Sequence, residues 1–339
     1  MAASDSPAET PYLSVIVPVL DGSATLGVCL SAIGESSFAD WELIVVDDGS
    51  TDGSAEIASE AGATVLRTVG RQGPGAARNL GAQRARGEVL LFIDADCSAA
   101  SDTLARAVEI LRQDPGLDAL FGSYDDTPSA PGLVARYKNL QHHFVHQQGS
   151  KEATTFWAGC GAIRRSVFES LGGFDTRRYK RPSIEDIEMG SRLTVGGGRI
   201  RLAKDVQVKH HKAWSLLGVL RSDLLDRGIP WTLLILEGEQ AQKGLNVDFK
   251  GRLSVALALA MLLGVVLAPV WPRTVMISVG AGLVFLWLNA RFYRLLATQG
   301  GVTLLIAGIV LHWLYQLNCA VAYLTGRLLF WRRRRETRS

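Results

Sequence analysis

Cysteine is scarce in this chain of 339 residues: Cys29, Cys97, Cys160 and Cys319 stand far apart, and no C-x-x-C pair occurs. A zinc ribbon, a dithiol redox centre and a disulfide framework are therefore excluded, and Cys97 reads as a small buried thiol. There is no G-x-G-x-x-G turn after the first apolar run and no Walker loop, which argues against a dinucleotide oxidoreductase and a P-loop enzyme. The first ten residues, MAASDSPAET, lack the basic and apolar regions of a signal peptide, so the N-terminal part is expected to stay in the cytosol. Charge is nearly balanced at +3, but residues 327–339 hold six Arg against one Glu. A nucleic-acid binder spreads basic charge over a folded face. This chain gathers it behind an apolar segment, so no nucleic-acid partner is expected.

What is plentiful is apolar surface: 47% of residues are hydrophobic and the mean hydropathy is +0.15. Residues 253–271 and 274–290 are uncharged, and 302–326 contain only His312 as a possible charge. A spanning helix needs about 20 apolar residues, range roughly 17–25. All three stretches qualify by length, and none shows the polar stripe of a soluble helix. Trp271, Trp287, Trp313 and Trp331 lie near several ends, as interfacial anchors do. Arg291 and Arg294 favour a cytoplasmic loop, and Arg332 to Arg335 a cytoplasmic C-terminus. Three spans would instead separate the two ends, so either one stretch is re-entrant or the charge tendency is overridden.

Residues 12–125 alternate between two patterns. Leu13–Val19, Leu43–Val46, Thr64–Leu66 and Val89–Ile93 are short apolar runs rich in Val and Ile, as strands covered on both faces are. Between them Leu26, Leu30 and Ile33 keep helical spacing, as does the segment 76–85. Leu104, Val108 and Leu111 follow Ser101, a candidate N-cap, and Pro115-Gly116 ends that helix. The alternation predicts a doubly wound α/β sheet, in which ligands bind at the carboxyl ends of the strands. Acidic residues gather at those ends: Asp21 after the first run, Asp47-Asp48 after the second, and Asp94-Ala95-Asp96 after the fourth. Carboxylates without phosphate-cradling glycines suggest a divalent cation, Mn²⁺ or Mg²⁺, that holds the phosphates for them. Two carboxylates at i and i+2 on a strand end can share one cleft while Ala95 turns away.

At this point the chain resembles the family 2 glycosyltransferases of the GT-A fold. The matching residues are S-V-I-V-P-V-L-D (14–21), E-L-I-V-V-D-D-G-S-T-D (42–52), G-A-A-R-N-L-G (75–81) and G-E-V-L-L-F-I-D-A-D (87–96). They continue with G-C-G-A-I-R-R-S-V-F-E-S-L-G-G-F-D (159–175) and E-D-I-E-M-G-S-R-L (185–193). The resemblance implies a Rossmann-like, mostly parallel sheet flanked by helices and an inverting, metal-dependent transfer from a UDP- or GDP-linked sugar. It also implies roles. Asp47 and Asp48 contact base and ribose, Asp94 and Asp96 hold metal and diphosphate, and Asp186 of the Glu185-Asp186 pair is the base. Pro18, Asp21 and Ala95 join the nucleotide-sugar site. Leu20-Asp21-Gly22 departs from the family's usual aromatic-Asn-Glu, which weakens the part of Asp21. His210, selected by the V-x-V-x-H spacing, completes the metal shell.

The residues themselves support several of these roles. A carboxylate at the first turn of a helix starting near Ile184 can act as general base on an acceptor hydroxyl, with Glu185 orienting the helix start. Arg71 can reach a phosphate, whereas Arg78 and Asn79 are expected to brace the D-x-D loop. His142, His143 and His146 are expected to form an exposed helical face without metal. From Trp214 onward, Leu217, Leu220, Leu224 and Leu225 share one helical face and Asp223, Asp226 and Arg227 the other, as in an interfacial amphipathic helix. Arg227-Gly228-Ile229-Pro230-Trp231 closes it and partly resembles the Arg/Trp motif bordering the acceptor cleft of processive relatives. Gly159, Arg227 and Trp231 are accordingly placed on the acceptor side.

The expected organisation is a flexible N-terminus (1–11), a GT-A domain (12–213), interfacial helices (214–250), a transmembrane region (251–330, with stretches 253–271, 274–290 and 302–326) and a basic tail (331–339). The expected protein is a multi-pass enzyme of the cytoplasmic membrane, its catalytic domain facing the cytosol, with a lipid-linked or glycolipid acceptor. The alternative enzyme reading is a processive polysaccharide synthase, which is expected to need more spans to form a channel. A tethered scaffold with a dead site is disfavoured because Asp94, Asp96 and Asp186 are all present.

Overall fold

The structure is a computed structural model, and it describes residues 10–238 and 249–336. Most of the expected N-terminal segment, part of the linker before the apolar region and the last three residues of the basic tail lie outside the described residues. The chain forms two compact units, each discontinuous in sequence. One comprises 1–123 with 156–208, the other 124–155 with 209–339.

The first unit is built on a sheet. In chain order the strands are β1 (Leu13–Val19), β2 (Trp41–Asp47), β3 (Thr64–Arg67), β4 (Val89–Ile93), β5 (Cys97–Ala99), β6 (Ala119–Tyr124), β7 (Glu152–Ala153), which falls in the second unit, β8 (Cys160–Arg164) and β9 (Ile200–His210). The sheet order is β3-β2-β1-β4-β8-β6-β9-β5. β1 pairs in parallel with β2 and β4, and β2 in parallel with β3. The expectation of a doubly wound sheet holds for this half alone. β8 runs antiparallel to both β4 and β6. Every residue of β1 and β4 is buried, which explains their unbroken apolar sequences.

Helices α1 (Ser23–Gly34), α2 (Ser54–Glu60), α3 (Pro74–Arg84) and α4 (Thr103–Gln113) belong to this unit. The helix α4 starts at Thr103 with Asp102, not Ser101, as the flanking residue. The Ser101 carbonyl is instead taken by the backbone N–H of Ser37 at 2.8 Å. Pro74 opens α3, where its missing N–H costs nothing. Gly81 lets α3 lie directly on the sheet, since a Cβ there would come within 2.6 Å of Ile16.

After α5 (Leu133–Gln148), which belongs to the second unit, the chain returns to the first with α6 (Arg165–Ser170) and α7 (Glu185–Val195). The second unit continues with α8 (Leu216–Arg221), a π-helical stretch (Ser222–Gly228), α9 (Ile229–Leu236), α10 (Phe249–Leu267), α11 (Thr274–Leu288) and the helical run α12 (Ala290–Glu336). α12 is broken at Gly301, whose φ of 65° no helix accommodates. Its core gathers Tyr137, Leu140, Phe285, Phe292, Leu296 and Leu304. Pro230 lies within the first turn of α9, where proline is tolerated, so it continues the helical path instead of closing it.

Two expectations about this unit are overturned. Asp223, expected on the polar face of an interfacial helix, is only 7% exposed and pairs with Lys138 at 2.7 Å. The wider π-helical turn shifts the phase on which a 3.6-residue reading depends. The histidines of α5 do not form an exposed face. His146 is buried and the His142 ring stacks on Tyr124, centroids 5.7 Å apart.

Candidate active site

The carboxyl edge of the parallel strands carries the expected acidic residues, and hydrogen bonds sort them into two groups. In the first, the buried Asp47 accepts from the Ser50 N–H at 2.8 Å and faces Arg67 at 3.3 Å. Asp48, also buried, holds the loop after β3: it accepts from Thr68 Oγ1 (2.8 Å), the Gln72 N–H (2.9 Å) and the Gly73 N–H (2.8 Å). Gly73 adopts φ 92°, and a Cβ there would press on the Lys180 carbonyl at 2.8 Å, so this loop position requires glycine. Asp21 sits at φ 48°, a left-handed conformation uncommon outside glycine, and accepts from the Thr51 N–H at 2.9 Å. Its other oxygen pairs with Arg71 at 2.6 Å, so the expected phosphate-reaching arginine rests here on Asp21. Pro18 lies inside β1, opposite Val46.

The second group joins the D-x-D segment to the Glu-Asp pair through a residue that sequence reasoning treated only as a loop brace. Arg78, buried on α3, donates to Asp94 Oδ1 at 2.7 Å and to Glu185 Oε1 at 3.2 Å. Asp94, Glu185 and Asp186 together hold its guanidinium more firmly charged than usual, against the opposing effect of burial. Asn79, one residue on, grips both the N–H and the carbonyl of Phe174 at 2.9 Å, and so braces that turn and not the D-x-D loop. Glu185 accepts from the Ser183 N–H at 2.9 Å, consistent with fixing the start of α7.

Asp186 is half-buried and accepts from the Ala158 N–H at 3.0 Å and the Ile187 N–H at 2.8 Å. Burial, and after it the neighbouring Glu185 charge, push its carboxyl up to about 6. The next residue, Gly159, accepts from the Asp94 N–H at 3.2 Å. One short segment therefore binds the D-x-D strand end through Gly159 and the Asp186 carboxylate through Ala158. A Cβ on Gly159 would lie 2.5 Å from the Trp157 ring. Neither the Ala158 contact nor the double grip of Arg78 has a signature in the sequence, because each joins segments far apart along the chain.

Behind the D-x-D turn the thiols of Cys29, Cys97 and Cys160 are buried. Burial, reinforced by the acidic pair, raises all three, Cys160 to about 12, so they stay protonated and inert. Asp96, whose Oδ1 is 3.7 Å from the Cys97 sulfur, is partly exposed, as are Asp94 and Ala95. Two hard carboxylates at a strand end suit Mg²⁺ or Mn²⁺.

The remaining expected residues belong to the second unit. The His210 ring is buried and stacks on Tyr124, centroids 4.3 Å apart. Arg227, in the π-helical turn, donates to His142 Nε2 at 2.9 Å. Burial, and then the nearby Lys138 and Arg227 charges, keep His142 neutral and able to accept that bond. Trp231 lies in the first turn of α9.

This strand order, with acidic turns at one edge of a half-parallel sheet, is the fold of the GT-A glycosyltransferases. Residues 14–172 match the family described as Glycosyl transferase family 2. The glycosyltransferase AglE of Haloferax volcanii is 29% identical over 204 residues, 58% of this chain and 66% of that relative. A PGL/p-HBAD biosynthesis glycosyltransferase of Mycobacterium tuberculosis is 35% identical over 118 residues, 33% of this chain and 46% of the relative. The chain thus spans less than two thirds of the length of these relatives. Among solved structures, a mannosyltransferase from Pyrobaculum calidifontis in complex with GDP-Man and Mn²⁺ superposes with a TM-score of 0.57 at 22% identity, covering 94% of this chain and 88% of its own. S. aureus TarS 1-349 in complex with UDP-GlcNAc gives 0.50 at 18% identity, covering 93% and 91%. At these identities the likeness is one of fold.

Proposed function

We propose that this protein is an inverting, metal-dependent glycosyltransferase that moves a sugar from a nucleotide-sugar to a lipid-associated acceptor at the cytoplasmic membrane, its acidic strand edge facing the cytosol. The observation that carries the reading is Asp186: a half-buried carboxylate, raised to about 6 and tied through Ala158-Gly159 to the D-x-D strand end. A base poised just below neutral pH is ionised in the cytosol yet basic enough to take a proton.

In this reading Asp186 accepts the proton of the acceptor hydroxyl while that oxygen attacks the anomeric carbon. The bond from that carbon to the nucleotide diphosphate breaks on the opposite face, which inverts the centre. Asp94 and Asp96 would hold the divalent cation, Mn²⁺ or Mg²⁺, with His210 as a third ligand on the strength of the sequence resemblance. The cation, when bound, offsets negative charge on the departing diphosphate. Arg78 holds Asp94 and Glu185 in place. Asp47 and Asp48 line the nucleoside end with Pro18 and Asp21, and Arg71 and Ala95 the diphosphate end. Gly159, Arg227 and Trp231 form the acceptor side. The GDP-Man and UDP-GlcNAc bound by the two solved neighbours support a nucleotide-sugar donor. Helices α10 and α12, long and apolar enough to cross a bilayer, support membrane association.

The test is a binding and hydrolysis screen of UDP-, GDP- and dTDP-sugars with and without Mn²⁺. One donor class should bind in a Mn²⁺-dependent manner, and Asp96→Ala should abolish that dependence together with turnover. Full activity in excess chelator would overturn the metal assignment, and binding of no nucleotide-sugar would overturn the donor.

A further inference from the structure

The second unit raises a conflict that hydropathy does not see. Residues 302–326 have the length and composition of a span, and their midpoint is residue 314. The ammonium of Lys138 stands 5.3 Å from the centre of the Tyr315 ring, and Lys138 is paired with Asp223 at 2.7 Å. At the head of the stretch, Arg136 donates to the Gln299 carbonyl at 2.6 Å, and Gln299 donates to Asp126 at 2.9 Å. Further along, Asn318 donates to the Leu220 carbonyl at 2.9 Å, and Gly228 and Gly326 are needed for close approach to Ala322 and Thr232. The elements packed along 302–326 thus include α5, the π-helical turn and α9, and the half of the hairpin near its open end also meets this stretch: Trp313 donates to the Ala258 carbonyl at 3.2 Å, and the Phe285 ring lies 5.3 Å from that of His312. α5 alone carries Arg136, Lys138, His142, His143 and His146. Placing 302–326 across a bilayer would draw these groups into hydrocarbon, where ionisable side chains are strongly disfavoured.

The other face of the same helix is apolar. Val302, Ile306, Val310, Val321, Leu324 and Leu328 are all at least half exposed and recur at spacings compatible with one stripe. The hairpin α10–α11 has a different character. Its internal polar groups are satisfied within it: Thr274 Oγ1 donates to the Gly264 carbonyl and Ser278 Oγ to the Met261 carbonyl, both at 2.8 Å. Gly264 has no room for a Cβ against Ser278. Leu263, Val266, Val270, Met276, Val279 and Leu283 face outward. Polar groups closed inward and apolar groups turned outward are what a bilayer requires. Of the ten basic residues between 249 and 336, Arg273 alone lies at the hairpin tip, and the other nine flank the hairpin's open end or belong to α12.

We infer that the α10–α11 hairpin is the membrane-inserted element and that α12 does not cross, lying in the interface with its apolar stripe on the lipid. The chain therefore makes an even number of crossings, and Arg332 to Arg335 share the compartment of the catalytic strand edge. This resolves the conflict between three apolar stretches and a basic C-terminus. It rests on the proposed membrane association but not on sugar transfer.

Single cysteines in the full chain, in a Cys319→Ser background, read the topology with a membrane-impermeant maleimide. Cys29, Cys97 and Cys160 are buried and remain silent. Glu109→Cys marks the catalytic side, Arg335→Cys the C-terminus and Leu263→Cys the hairpin. In sealed bacterial spheroplasts Arg335→Cys should label like Glu109→Cys, both only after the membrane is opened. In opened, unsolubilised membranes Leu263→Cys should be protected at least 10-fold relative to detergent. Opposite labelling of positions 109 and 335 overturns the inference in favour of a spanning α12. Equal labelling of position 263 in membranes and detergent overturns insertion of the hairpin. The Asp186→Asn chain should give the same pattern, so failure of the catalytic reading is recognised separately.

Discussion

Asp186 and Arg78 meet through charge, and in the proposed mechanism Asp186 is the base. A carboxyl raised to about 6 must lose its proton before it can serve as a base, so the rate should rise with pH and level off above that value. A pH–rate profile at saturating donor checks this. Asp186→Asn keeps the size but cannot accept the proton, and kcat should fall by about 10²–10⁴-fold with donor affinity nearly unchanged. Glu185→Gln should be milder, because Glu185 is held by Arg78 and the Ser183 N–H. The stability of the fold runs the other way. Asp186 binds its proton more tightly when folded than at the ordinary value of 3.8, so its contribution is full below that pH and is lost as the pH rises through about 6. In the proposed mechanism the working state of the site is thus the one in which Asp186 stabilises the fold least.

At the scale of elements, the site is a set of segments tied at a few points. Arg78→Met leaves Glu185 buried without its partner and should destabilise the protein by about 3–5 kcal/mol, while adding Glu185→Gln should recover part of that loss. Thermal unfolding of the single and double variants in detergent measures the coupling. Gly159→Ala forces the segment away from Trp157 and disturbs its bonds to Asp94 and Asp186 together. A cost of about 1–3 kcal/mol is expected, with a fall in kcat larger than the change in donor affinity. The strand ends, the D-x-D turn and the Glu-Asp helix start were legible, because each is marked by local composition and period. The π-helical stretch was not. A reading at 3.6 residues per turn puts Asp223 on the polar face of an interfacial helix, and the extra width of that turn carries it inward to Lys138.

For the whole molecule, the catalytic sequence and the apolar C-terminal part are predicted to be separable in one respect and not in another. A chain ending at Gly238 retains every acidic residue of the site and should still bind nucleotide-sugar. It lacks α10 to α12 and should lose transfer to native lipid. Transfer to a water-soluble acceptor at the full rate by that shortened chain would count against a lipid acceptor.

The sequence by itself determined the buried central strands, the acidic residues that follow them and the apolar reach of the C-terminal quarter. These are properties of consecutive residues: alternation, burial period and charge depend on neighbours a few positions away. Only the tertiary structure decided which carboxylate is paired and which is poised. Arg78 reaches residues 16 and 107 positions away, and the rise in the Asp186 carboxyl comes from burial that no local pattern records. It likewise decided which apolar stretch keeps charged company. The ammonium that meets Tyr315 is carried by Lys138, on a helix that the chain left behind long before reaching α12.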